Sequence, residues 1–248
     1  NWTGVTIEKK EGLYHKNKDV IITDLPGIYS LTPYSLEEVI TRNYILDQPP
    51  DIIINIIDST NLERNLYLTT QLMEFNCKVI IALNMEDELA KNGISIDSER
   101  LSILFGVKVV SISALKKQNI DKLMTLTIAE CSNIQRKKPI PLPQDINKVL
   151  DDIAVSADID IKERWTLIKL FEKDKLLLEK LSDSDIHKIE NIIKPVELRA
   201  NEKSSEIISN LRYRFLEKNI KNIEYKGESK SKETTDKIDN VLLNKYAA

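Results

Sequence analysis

The chain has 248 residues, 42% hydrophobic and 30% charged, which is enough for one large domain and a smaller one. Its net charge of −3 is spread along the sequence and argues against nucleic-acid binding, and the longest apolar run, Ile52 to Ile57 interrupted by Asn55, is too short to span a bilayer. Cys77, Cys131, His15 and His187 each stand alone, so neither a disulfide framework nor a soluble metal cluster is predicted, and a reducing compartment is the default.

The chain opens on Asn1-Trp2-Thr3-Gly4-Val5-Thr6-Ile7, where Thr6 by itself reads as a strand threonine. A strand is predicted over Gly12 to Asp24, closed by Asp24-Leu25-Pro26-Gly27. An aspartate at a strand tip can hold a magnesium shell through water, and a glycine three residues on lets its backbone N–H approach a terminal phosphate closely. This is the Asp-x-x-Gly pattern with which P-loop GTPases sense a γ-phosphate. The next position, where many such enzymes carry a glutamine that orients the attacking water, is Ile28, which neither donates nor accepts a hydrogen bond; slow turnover is expected.

Alternation of helix and strand follows. Helices are predicted at Leu36 to Leu46, Glu63 to Phe75, Asp97 to Phe105 and Ile120 to Cys131, and strands at Ile52 to Asp58, Val79 to Asn84 and Val107 to Ser113. The Ile52 to Ile57 run reads as a buried parallel strand. Such alternation predicts an α/β doubly wound, mostly parallel sheet.

At the end of the predicted strand Val79 to Asn84 stands Asn84-Met85-Glu86-Asp87. A carboxylate at Asp87 can accept from both N1–H and the exocyclic amine of guanine, a donor pair that adenine lacks. In isolation, Asn-x-x-Asp is also an ordinary polar turn with both residues as caps. After the next strand comes Ser113-Ala114-Leu115, whose small central residue lets the backbone reach a guanine O6. Three short motifs in this order, each at the carboxyl end of an apolar run, favour a guanine-nucleotide site over three unrelated turns.

Three prolines in the five residues Pro139 to Pro143 then break the pattern. Beyond them the periodicity is helical: Ile146, Val149, Leu150 and Ile153 share a face, as do Ile161, Trp165 and Ile168, then Ile186, Ile189 and Ile193, then Ile207, Ile208 and Leu211. A smaller all-helical domain is predicted, with Trp165 as a core anchor. Lys226 to Thr235 reads as a polar linker and Asp236 to Tyr246 as a further amphipathic helix. The predicted boundaries are 1–135, 136–225 and 226–248.

One GTPase motif is absent. None of the six glycines lies in a G-x-x-x-x-G-K-[ST] pattern, so the chain has no recognisable cradle for the α- and β-phosphates and no lysine for the β/γ-phosphates. Poor GTP binding by the chain as it stands is expected. In G domains the P-loop follows a central strand whose loss would leave inner strands unpaired, so a missing amino-terminal segment of about thirty to forty residues is expected, corresponding to a strand–P-loop–helix unit.

Asn1-Trp2-Thr3-Gly4-Val5-Thr6, Asp24-Leu25-Pro26-Gly27-Ile28-Tyr29-Ser30-Leu31, Asp58-Ser59-Thr60-Asn61-Leu62-Glu63-Arg64-Asn65-Leu66 and Asn84-Met85-Glu86-Asp87 together resemble the cytoplasmic part of the ferrous iron transport protein B family. The resemblance implies a G domain followed by a helical regulatory domain, binding GTP or GDP with Mg2+ and a monovalent cation such as K+. It places Gly4, Val5, Thr6, Asp24, Leu25, Pro26, Gly27, Asn84, Met85, Asp87, Ser113, Ala114 and Leu115 on the nucleotide. Thr6 and Asp24 would serve the magnesium, and Thr6 and Gly27 the hydrolysis. The implied partners are the transmembrane portion of the same transporter and, as an assembly, a homo-oligomer, with no nucleic acid. The implied location is the cytoplasmic face of the bacterial inner membrane, with this segment itself soluble. The competing classes are a ribosome- or RNA-associated regulatory GTPase with a helical appendage, and a nucleotide-free interaction module.

Overall fold

A computed structural model of the chain describes residues 10–156 and 163–226. Gly4, Val5, Thr6, Ile161 and the expected terminal helix at Asp236 to Tyr246 lie outside the described residues. The described residues fall into two compact units that interleave along the sequence. One is drawn from Asn1–Asp51, Arg64–Cys77 and Pro139–Arg214, the other from Ile52–Glu63, Lys78–Lys138 and Phe215–Ala248.

The second unit holds a parallel three-stranded sheet. Strand β3 (Ile52–Asp58) pairs with β4 (Lys78–Asn84), which pairs with β6 (Val109–Ser111). β4 is central and its Val79 to Leu83 are fully buried, as a strand covered on both faces requires. β3 departs from the fully buried strand that its isoleucine run predicts: Asn55 and Ile57 are buried, whereas Ile56 is 60% exposed. The physical reason is position, since among the described residues β3 forms the sheet's outer strand.

Helix α5 (Ile120–Ser132) covers the sheet, with Leu123 packed against Ile80, Ala82, Val110 and Ile112. Helix α4 (Ser98–Phe105) starts at Asp97, whose carboxylate accepts from the Arg100 N–H, and stops at Gly106 with φ 68°. A Cβ on Gly106 would sit 2.3 Å from the Arg136 carbonyl oxygen. Gly106→Ala therefore combines left-handed strain with a backbone clash. It should cost about 1–3 kcal/mol, read as a lowered urea midpoint at unchanged slope.

Two strands of this unit are not foreseen from the sequence. β5 (Ile94–Ile96) pairs antiparallel with β7 (Glu224–Lys226), which interrupts the expected helical run near its end. Each has only three residues, too few for an alternating pattern to show.

The first unit opens on a hairpin, β1 (Lys10–Tyr14) with β2 (Asn17–Asp24), where a single strand from Gly12 is predicted. Asn17 turns the chain by accepting the Asp19 N–H at its side-chain oxygen, 3.0 Å. Helix α1 (Leu36–Asp47) begins with a full capping box, Ser35 and Glu38 each satisfying the other's backbone N–H. Helix α2 (Leu62–Leu72) continues into this unit from Arg64.

Helices α6 (Gln144–Ser156), α7 (Arg164–Phe171), α8 (Lys175–Leu178), α9 (Asp183–Ala200) and α10 (Ser204–Ile220) supply the helical part. Ile146, Val149, Leu150, Ile153, Ile189 and Ile193 are buried on the predicted faces. Trp165 is fully buried, with the Phe75 ring 4.5 Å away and the Arg42 guanidinium 5.0 Å from its centre, as a core anchor should be.

The charges inside this unit are paired. Arg42 forks onto Asp174 at 2.7 and 2.9 Å, both side chains 2% exposed. Arg212, itself fully buried, reaches Glu74 at 2.9 and 3.1 Å and Glu172 at 2.8 Å, and Lys169 bonds Glu172 at 2.5 Å. Burial raises the Glu74 carboxyl above its usual range. Glu172 is also pushed up by burial, but the charges of Arg212 and Lys169 bring it net below.

Candidate functional site

The three strands of the parallel sheet end level with one another: Asp58 is opposite Asn84, and Leu83 is opposite Ser111. In an open α/β sheet this carboxyl edge is where ligands sit, because the loops leaving it diverge and expose their backbone groups. Asp58, Asn84 and Ser113 all lie there.

After Asn84 the chain turns sharply. Met85 adopts φ 65°, and helix α3 (Glu86–Lys91) starts at the next residue. A methionine in the left-handed region carries a local strain that the surrounding structure must sustain. The turn sets Asp87 in the first helical turn, partly exposed.

The side chain of Asn84 does not cap this helix. Its Oδ1 instead accepts the Ala114 N–H at 3.0 Å, tying the loop after β4 to the loop after β6. That second loop closes on itself. Ser113 and Gln118 exchange backbone hydrogen bonds at 3.0 and 3.2 Å, Lys116 N–H donates to Ser113 Oγ at 3.3 Å, and Lys117 and Asn119 take φ 53° and 60°. Asn119 also donates from Nδ2 to the Ser111 carbonyl at 2.9 Å.

Sequence reasoning missed Lys116, whose Nζ lies 2.8 Å from Asp87 Oδ2. The Lys116 hydrogen bond holds the Asp87 carboxyl below its usual range. Glu86, half-buried, is pushed up by burial, partly offset by a Ser111 hydroxyl bond. A lysine in a polar loop gives no sequence signal that separates it from a solvated one.

Ser113 is buried, Ala114 exposed and Leu115 87% exposed at the loop tip. Asn84, Met85, Asp87, Ser113, Ala114 and Leu115 are thus brought to one corner of one unit. Asp58, at the end of β3, is committed locally: its carboxylate accepts from Thr60 N–H at 2.9 Å, Thr60 Oγ1 at 2.6 Å and Asn61 Nδ2 at 3.2 Å.

The Asp-x-x-Gly segment belongs to the other unit. Asp24 ends β2 and is exposed, Leu25 is half-buried, Pro26 buried and Gly27 exposed. A Cβ on Gly27 would meet nothing within 4 Å. The residues that follow are firmly anchored: the Leu31 N–H donates to Gln71 Oε1 at 2.6 Å, and Arg64 stacks on the Tyr29 ring at 3.8 Å. Among the described residues there is no group of three His, Cys, Asp or Glu side chains that could hold a metal ion, and no helix long and apolar enough to cross a membrane.

The family model described as Ferrous iron transport protein B matches residues 1–127, and that of the FeoB cytosolic helical domain matches residues 141–223. The Fe(2+) transporter FeoB of Methanocaldococcus jannaschii is 38% identical over 98% of this chain and 37% of its own length. The Fe(2+) transport protein A/Fe(2+) transporter FeoB fusion protein of Porphyromonas gingivalis is 31% identical over 99% of this chain and 31% of its own length. The chain thus spans about a third of the length of these curated relatives.

Among solved structures, a GDP-bound mutant of the S. thermophilus FeoB G-domain superposes with a TM-score of 0.82 at 40% identity, covering 91% of this chain and 89% of that one. NFeoB from S. thermophilus bound to GDP.AlF4- and K+ gives 0.80 at 42% identity, covering 88% and 87%. The doubly wound α/β fold with a helical part is therefore that of a P-loop GTPase domain, and the chain belongs to the ferrous iron transport protein B family.

Proposed function

We propose that the chain is the guanine-nucleotide-binding, GTP-hydrolysing cytoplasmic portion of a ferrous iron transporter, coupling nucleotide state to iron uptake through a membrane-embedded remainder. The observation that carries this is the hydrogen bond from Ala114 N–H to Asn84 Oδ1, which joins two loops of guanine-reading chemistry at the carboxyl edge of a parallel sheet. Asp87 would accept from guanine N1–H and its exocyclic amine, the Ala114 and Leu115 backbone would face O6, and Met85 and Leu115 would cover the ring. Ionised Asp87 suits those donors.

The residues fit the base better than they fit the phosphates. Asp24 and Gly27 are exposed and open, in keeping with a γ-phosphate and magnesium role alongside Gly4, Val5 and Thr6. The G-x-x-x-x-G-K-[ST] cradle has no counterpart in the sequence, so the α- and β-phosphates meet no glycine-rich nest here and the β/γ-phosphates no P-loop lysine. The GDP, GDP.AlF4- and K+ of the solved relatives make a guanine nucleotide and K+ the expected small partners, Mg2+ joins them from the Asp-x-x-Gly chemistry, and the membrane portion of the transporter and a second copy of the chain are the expected macromolecular partners. Location at the cytoplasmic membrane face follows from the same reading.

The test uses a chimaera in which a designed strand–P-loop–helix segment bearing G-x-x-x-x-G-K-S is fused ahead of Asn1. In it, Thr6→Ala and Gly27→Ala should spare GDP affinity and reduce preference for a non-hydrolysable GTP analogue, because both positions act through the γ-phosphate and its magnesium. With nothing near the added Cβ, Gly27→Ala should leave the nucleotide-free melting temperature unchanged. Equal loss of GDP and GTP-analogue affinity in calorimetric titrations would assign both residues to structure alone.

A further inference from the structure

The geometry points to Lys116 as an internal latch on the guanine site: its ammonium is held on the base-selecting carboxylate of Asp87, and guanine must displace it. The inference rests on the guanine-site reading above and adds a specificity-determining residue to it.

Three observations carry it. First, Lys116 Nζ sits 2.8 Å from Asp87 Oδ2, a charge-assisted contact on the acceptor through which guanine would be recognised. Guanine recognition by a carboxylate uses both oxygens side by side, in the plane of the base. An ammonium on one of them draws the carboxylate's charge toward itself and crowds the edge that the base must approach.

Second, the latch comes from the loop that would bind guanine O6. Ala114, held by Asn84, and Lys116 are two residues apart in a turn closed by the Ser113–Gln118 hydrogen bonds. The turn therefore fixes the reach of Lys116 to Asp87, and a base entering between the two loops meets the ion pair directly.

Third, the pair is weak enough to yield. Lys116 is 51% exposed and Asp87 25%, so solvent and salt screen their attraction. A latch of this kind lowers affinity for every guanine ligand by a modest factor and leaves adenine ligands untouched, because adenine gains nothing from a freed carboxylate. On release, the flexible four-carbon stem lets the ammonium move aside without unfolding the turn.

The 248-residue chain is itself the suitable test object, since without a P-loop the base supplies most of the binding. Wild type, Lys116→Met and Asp87→Ala are titrated with GMP and with AMP, following the Asp87 and Ala114 backbone amides by NMR, at low and at high sodium chloride. Lys116→Met should bind GMP about two- to fivefold more tightly than wild type at low salt, with the difference shrinking at high salt and AMP unaffected. The 13C titration of the Asp87 carboxyl should move upward in Lys116→Met, which reports the ion pair independently of any ligand. Unchanged or weaker GMP binding in Lys116→Met, or an unmoved Asp87 titration, overturns the latch. GMP shifts that are equal in wild type and Asp87→Ala, or absent in all three proteins, overturn the guanine-site reading and the latch with it.

Discussion

In the P-loop-bearing chimaera, Asp87→Ala should weaken GTP and GDP binding by about 2 to 4 kcal/mol, the range expected when one side of a desolvated, charge-assisted pair is truncated. The base would leave two donors without their carboxylate partner, which adds to the loss of the contact itself. Asn84→Ala should follow in the same direction with a smaller effect, because its side chain positions the Ala114 backbone and is not placed to meet N1–H. Isothermal titration decides between the roles: unchanged guanine-nucleotide affinity in Asp87→Ala would remove it from the base site.

Arg212→Met should lower the stability of the helical unit by about 3–5 kcal/mol. The residue is fully buried between Glu74 and Glu172, and its loss strands a carboxylate in the interior. Lys169 would still face Glu172, so the uncompensated group is Glu74, whose carboxyl burial already pushes up. Adding Glu74→Leu to Arg212→Met should recover most of the loss, since replacing both members of a buried pair by apolar groups is often neutral. Urea midpoints of the two single variants and the double variant provide the cycle. If Arg212→Met alone is as stable as wild type, the four-charge cluster is not a stabilising unit.

The legible parts of the sequence were those with a local signal. The strand at Ile52 to Asp58 and the one ending at Asn84 are apolar runs bounded by turn residues, and the helices expected at Leu36 to Leu46 and Asp97 to Phe105 are found as α1 and α4. The segments Asn84 to Asp87 and Ser113 to Leu115 stood out because each follows such a strand, and the structure ties them through the Ala114 N–H and Asn84 Oδ1. The His15–Lys16 turn was hidden because neither residue is a turn former; the cue lay in the side chain of Asn17. Pairings over long separations were hidden for a different reason. Nothing local links Arg42 to Asp174, Arg212 to Glu74, or β5 to β7, since each pair meets only after the fold has closed. Lys116 belongs with these, its role set by the turn that carries it and not by its own identity.

A guanine site of the proposed kind, with base-reading loops and no phosphate cradle in this sequence, sets what nucleotide can do to thermal stability. With 1 mM GTP the 248-residue chain should gain under about 0.4 kcal/mol, because linkage gives RT ln(1 + [L]/Kd) and Kd is expected above the ligand concentration. The P-loop-bearing chimaera should show a clear upward shift in melting temperature with GTP or GDP and none with ATP, as the role proposed for Asp87 requires. A strong GTP-dependent shift in the 248-residue chain alone would contradict the absent cradle, and a chimaera that responded equally to ATP would contradict the guanine site.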